Sequence, residues 1–370
     1  MANNNYSQIT EAAIITDPMV AAAEGRLDLF TAENSPLNKD EICNNVNIIA
    51  EAANNGHLEV LTWLYEFIYK TNETEQKIES QWWCDAAFRG YFDCIKFLVE
   101  NGEPIHKWTI IYAAQGGQIE IVKYLETHGS EITSEVVEGA ASYGHLPLLK
   151  FLYESYPNLF RAQAAEDAAG SHVDALNCLK FLYKVIPHLF SEEVLTRAIH
   201  SKNTAAEKFL LTKPEICPGI YTFTIAAKFD RVDIMHTLYE DPEIAEKVAS
   251  DHNPIRWASE YNCIEAAKFL LEIGAPVTQK APNRAAKNNN VEILKLFYNG
   301  PVTNFNERKP VVIGAECMRI ATQCNSVDCI KFLFQIDVPC LDGDGAAIEA
   351  DSPDELIQKL VDMGIIYLEN

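Results

Sequence analysis

Apolar and polar positions along this chain fall into a short cycle that returns about every thirty residues. Two alanines stand together, two variable residues follow, then a glycine or small polar residue, then a run with apolar residues at helical spacing. "AANNGHLEVLTWL" from Ala52, "AAQGGQIEIVKYL" from Ala113 and "AASYGHLPLLKFL" from Ala140 are near copies. The first alanine of the cycle falls at Ala21, Ala52, Ala86, Ala113, Ala140, Ala168, Ala198, Ala226, Ala258, Ala285 and Ala321, at intervals of 27 to 36 residues. Self-similarity at such a period marks a stacked array in which no single unit buries its own apolar face.

Each cycle predicts two short helices. The first ends at the fourth residue after the marker alanine, which is Gly25, Gly56, Gly90, Gly117 and Gly144 early in the chain and Lys202, Asp230, Asn262, Asn289 and Asn325 later. Glycine, and next to it Asn and Asp, tolerates the left-handed conformation that terminates a helix. The second helix carries apolar residues three apart, as in Ile119, Val122 and Leu125, and often ends at glycine, as at Gly102, Gly129 and Gly274. The paired alanines predict the seam of a tight hairpin, where its two helices approach closely, since a larger residue there would overpack. At the edges of the array, residues 1–20 are polar and Asn-rich, and "DELIQKLVDMG" at 354–364 predicts a capping helix with acidic residues outward. The expected division is therefore a polar segment 1–20, an array of about eleven units at 21–340, and a loop plus capping helix at 341–370. Residues 69–81 read as a polar insert, and "WWC" at Trp82–Cys84 as the apolar start of a helix.

The string A-A-x-x-G-H-L-E-[IV]-[VL]-K-x-L resembles the ankyrin repeat, and the likeness extends over roughly residues 20 to 340. It implies an all-α solenoid of helix-turn-helix units. The family's T-P-L-H tetrapeptide is missing, with "WTIIYAA" and "SEVVEGAA" in its place, and several intervals are 27 or 28 residues against about 33 in the family. The connecting β-hairpins are accordingly expected to be shortened or absent. A HEAT-type α-solenoid is the alternative fold, but its repeats run to about 40–47 residues. Divergent arrays of this kind in intracellular pathogens, amoebae and giant viruses often engage host proteins, so the resemblance also implies a host-directed effector as one setting.

In the ankyrin family the two residues before the glycine position face the concave side and touch partners. Here most such residues are polar, but Phe88, Tyr143, Phe229 and Tyr261 are aromatic and Arg89 stands beside Phe88. Exposed aromatics with an arginine anchor are what a binding hot spot uses. These five residues are the candidate partner-binding site. The alternative is that the rings pack sideways onto neighbouring repeats.

Charge narrows the choice of partner. The formal net charge is −23. An anionic chain is not steered toward phosphate backbones or anionic membranes, so neither nucleic acid nor membrane is expected, and a protein with a basic surface is favoured. A monomer is expected, since stacked repeats complete their cores internally. Ten cysteines include no C-x-x-C pair; Cys94, Cys178 and Cys329 share one repeat position, which predicts buried thiols in a reducing, cytoplasmic compartment, or the host cytosol for a secreted effector. No phosphate loop, nucleophile elbow or H-E-x-x-H is present. His57 and His145 follow the glycine position, where packing and hydrogen bonding account for them. No metal, cofactor or catalysis is expected. An enzymatic alternative could be placed only in the irregular stretches 301–320 and 340–353.

Overall fold

A computed structural model describes residues 15–72, 83–171, 175–300, 313–342 and 345–367. The chain forms two compact units, Met1–Leu189 and Phe190–Asn370. In unit 1 the first helices of successive repeats are Asn47–Asn54, Cys84–Arg89, Lys107–Gln115, Ser134–Ser142 and Ala162–Gly170, each followed by an apolar second helix such as Phe92–Glu100 or Ile119–Thr127. In unit 2 they are Glu192–His200, Ile220–Lys228, Asn253–Glu260, Lys280–Lys287 and Ala315–Gln323. Among the described residues there is no strand, only an isolated antiparallel bridge between Leu341 and Ala347. Both units are thus all-α stacks of helical hairpins, the repeat-solenoid architecture, with no projecting β-hairpin among the described residues.

All eleven marker alanines are fully buried. Within each unit, first helices lie side by side with the first helices of adjacent repeats, most extensively between Cys84–Arg89 and Lys107–Gln115. The small alanine side chains therefore serve the seam between repeats as well as the seam within one. The same alanine ends the helix. The backbone N–H of His57 donates to the Ala52 carbonyl at 2.9 Å and that of Gly56 to Ala53 at 3.1 Å, the paired bonds of a Schellman motif. The pattern recurs in unit 2, where Arg231 N–H donates to Ala226 at 2.9 Å. The motif needs a left-handed residue, and φ is +78° at Gly56 and +57° at Lys202, Asp230 and Asn262.

A side-chain bond then ties one repeat to the next. The residue after the left-handed position reaches back to the carbonyl two residues past the previous repeat's marker. His57 Nε2 meets Ala23 O at 2.9 Å, Gln118 Nε2 meets Phe88 O at 3.2 Å, and His145 Nε2 meets Gln115 O at 2.7 Å. In unit 2, Cys263 Sγ meets Lys228 O at 3.0 Å, Asn290 Nδ2 meets Glu260 O at 3.3 Å, and Ser326 Oγ meets Lys287 O at 3.2 Å. A carbonyl only accepts, so each histidine carries its proton on Nε2. These contacts give His57 and His145 the structural role read from their positions.

The helix Pro353–Asp362 packs its buried Leu356, Ile357 and Leu360 against Val327–Gln335, and Lys331 pairs with Asp354 at 2.7 Å. Two further helices lie inside the longer intervals. Lys39–Asn44 is capped by Asn38, and Pro242–Val248 by Asp241 with proline at its first position. The helix Leu58–Asn72 runs into the stretch read as a polar insert, whose residues 73–81 lie outside the described set, as does Trp82. Trp83 is fully buried and caps the helix beginning at Cys84. Residues 315–320, placed in an irregular stretch by the sequence, are the first turns of Ala315–Gln323.

Candidate binding surfaces at the first-helix ends

In unit 1, Phe88 and Arg89 occupy the last turn of Cys84–Arg89, and Tyr143 caps Ser134–Ser142. Phe88 and Tyr143 belong to repeats two apart, yet their rings meet edge to face with centroids 5.8 Å apart. Gly116 lies in the repeat between them. A Cβ there would sit 1.9 Å from the Phe88 carbonyl oxygen, so the two helix ends approach at backbone distance and no side chain at this position separates the rings. Arg89 is exposed and donates from Nη1 to Asn55 Oδ1 at 3.3 Å. Tyr143 is 42% exposed while Phe88 is half-buried.

Unit 2 holds Phe229 and Tyr261, at the C-terminal ends of Ile220–Lys228 and Asn253–Glu260. They share a cation. Lys228 Nζ lies 5.1 Å from the Phe229 ring centroid, 5.1 Å from Trp257 and 4.6 Å from Tyr261. Trp257 and Tyr261 are themselves 5.7 Å apart, and His200 lies 4.8 Å from Phe229. Each cation–ring contact is worth about 0.5–1 kcal/mol at an exposed site, so together they hold the rings in one arrangement. Tyr261 is 51% exposed and Phe229 half-buried. The five candidate residues therefore form two groups, Phe88, Arg89 and Tyr143 in one unit and Phe229 and Tyr261 in the other. In each group the tyrosine is the exposed ring. The phenylalanines pack sideways onto neighbouring repeats, as the alternative reading of the sequence expects.

Reading only the two residues before the left-handed position misses Trp257, which lies on the same helix face one residue before its marker alanine, and Trp108, which is 41% exposed in the first turn of Lys107–Gln115. Positions five and six residues before the left-handed one lie one helical turn back on that face, and Trp257 stands at the first of them. A cavity of about 650 Å³ in unit 1 is lined by Glu51, Asn54, Asp85, Trp108, Tyr112 and Gln115. Its ionisable side chains at the positions just before the marker alanines, Glu51 and Asp85, are acidic.

The buried thiols are not poised for chemistry. Burial pushes Cys94, Cys263 and Cys317 up to about 11 and Cys329 to about 12, so they stay protonated at neutral pH, where a thiol is a poor nucleophile. Cys94, Cys178 and Cys329 are buried in their shared position. Among the described residues, no group of three His, Cys, Asp or Glu side chains is placed to hold a metal ion, and no helix is long and apolar enough to cross a membrane.

The family model for ankyrin repeats (3 copies) matches residues 49–136. No curated protein matches the chain significantly. The matched stretch contains three of the marker alanines, their turn glycines Gly56, Gly90 and Gly117, and the buried alanine seam described above.

Proposed function

We propose that this ankyrin-repeat chain is a non-catalytic scaffold that captures a partner protein on the ends of its first helices. The partner meets Phe88, Arg89 and Tyr143 in unit 1 and Phe229 and Tyr261 in unit 2. Ankyrin repeats are a protein–protein interaction module, and that general role supports the reading. The observation that carries it is the pair of tyrosines: Tyr143 and Tyr261 sit at the same repeat position, exposed, yet each is fixed by neighbouring rings. A ring that is rigid before binding loses little freedom on binding, which is how aromatic anchors supply affinity. In unit 1 the carboxylates of Glu51 and Asp85 beside this surface favour a partner with basic side chains. Buried, protonated thiols suit a reducing cytoplasm, including that of a host cell if the chain acts there.

The test is cross-linking in the native cell with the wild-type chain, Tyr143→Ala and Tyr261→Ala. Each substitution is expected to weaken capture about tenfold or more, as truncating an aromatic anchor does, while destabilising the fold by no more than about 1 kcal/mol. Undiminished capture by both variants would remove the helix ends as the site.

A further inference from the structure

On the equivalent face of unit 2 the charge is reversed. A cavity of about 700 Å³ there is lined by Arg256, Lys280, Arg284 and Lys287, with Gln323 and Cys324 from the next repeat, and no carboxylate lines it. In a chain of net charge −23 this is an anomaly. Elsewhere several surface cations are neutralised on their own helix: Lys96 by Glu100, Lys123 by Glu120, Lys268 by Glu265 and Lys295 by Glu292. In the groove, Arg284 reaches Glu260 at 3.3 Å and Arg256 stacks 4.7 Å over the Trp257 ring. Among the described residues, Lys280 and Lys287 pair with no carboxylate. Four like charges around one cavity repel each other, and a negatively charged occupant relieves that cost.

We infer that this groove binds an acidic peptide stretch of a partner protein. Lys280 and Lys287 are at opposite ends of one eight-residue helix, about 10 Å apart along its axis at 1.5 Å per residue. A single phosphate cannot span that separation, whereas carboxylates on every second residue of an extended peptide repeat every ~7 Å and can. The side-chain amide of Gln323 offers a hydrogen-bonding partner to a peptide backbone. A polynucleotide has the right sign but meets the field of the whole anionic chain over a much longer contact. The inference rests on the reading of the repeats as a protein-binding surface and names the occupant of one part of it.

Binding of a fluorescein-labelled peptide of about twelve residues, alternating Glu and Ser, to the full-length chain tests this by anisotropy. We expect saturable binding that weakens with added salt and falls at least about tenfold in Lys280→Glu/Lys287→Glu. Both lysines are exposed, so the thermal midpoint should not move. The peptide should also slow modification of the exposed Cys324, which lines the groove, and leave the exposed Cys217, outside it, unchanged. Unaltered affinity after charge reversal, an unprotected Cys324, complete displacement by inorganic phosphate, or tighter binding of an oligothymidine of equal charge would each overturn the inference. Tyr261→Ala separates it from the wider reading. Loss of native-partner capture with peptide affinity retained supports both, while capture unaffected by that change and peptide binding lost on charge reversal leaves only the groove standing.

Discussion

Units 1 and 2 build the same hairpin with opposite solutions at the left-handed turn. In the first four repeats of unit 1 the turn residue is glycine and the next repeat places a large side chain over it. A Cβ at Gly25 would lie 2.4 Å from the His57 ring, at Gly56 2.6 Å from Tyr91, and at Gly117 2.4 Å from His145. In unit 2 the covering residues are small in most repeats, Cys263, Asn290 and Ser326, and the turn residue keeps a side chain that does something. Asp230 Oδ1 accepts the Ala266 N–H at 2.7 Å and Asn289 Oδ1 accepts the Cys329 N–H at 3.1 Å, each capping the next repeat's second helix. Asn325 exchanges two bonds with the Tyr367 backbone, at 2.7 and 3.1 Å. Loss of glycine is therefore no decay of the motif. Where the cover shrinks, the turn side chain takes over part of the stitching, and the strain of a left-handed Asn or Asp is small.

Substitutions that mix the two solutions break the comparison. The largest effect is expected at Gly116, where the obstacle is the backbone carbonyl of Phe88. Gly116→Ala should cost about 3 kcal/mol in chemical denaturation, the upper end of overpacking, whereas unit 2 carries Phe229, Tyr261, Asn288 and Cys324 at the corresponding position. An intermediate effect is expected for Gly117→Asn. It imports the unit 2 turn beneath a unit 1 cover and should cost about 2 kcal/mol by displacing His145 from the Gln115 carbonyl. Adding His145→Ser should recover part of that loss, giving a coupling of about 1 kcal/mol in a double-mutant cycle; strict additivity would sink the proposed exchange. The smallest is Asp230→Gly, which keeps the turn and deletes a cap, for about 1 kcal/mol in the same assay.

Much of this was legible in the residues. The alanine markers, the left-handed positions and the helical second run are local, and local rules fixed them: all ten turn positions read, from Gly25 to Asn325, are left-handed. In the Ala168 repeat Gly170 remains helical and Ser171 is extended, and residues 172–174 lie outside the described set. The extra helices Lys39–Asn44 and Pro242–Val248 carry ordinary signals, Asn38 and the Asp241–Pro242 pair, but these sit off the repeat register and are masked by it. The binding surfaces were only half legible. A one-dimensional register finds Tyr143 and Tyr261, whereas the contact of Phe88 with Tyr143 across Gly116 and the three rings around Lys228 depend on which residues successive repeats bring together. Net charge points to a basic partner, which suits Glu51 and Asp85 and misses the cationic groove entirely, because a sum over the chain carries no information about where the cations cluster.

The bond from the residue after each turn to a carbonyl of the preceding repeat has a practical consequence for anyone shuffling these modules. A chimera joined at the alanine markers would separate every turn residue from the side chain that shapes it, pairing glycines with small covers or Asn with imidazoles. A splice inside a second helix divides the same pairs, because turn and cover belong to successive repeats, so junctions are better placed between repeats that use the same solution, glycine under a large cover or Asn and Asp under a small one.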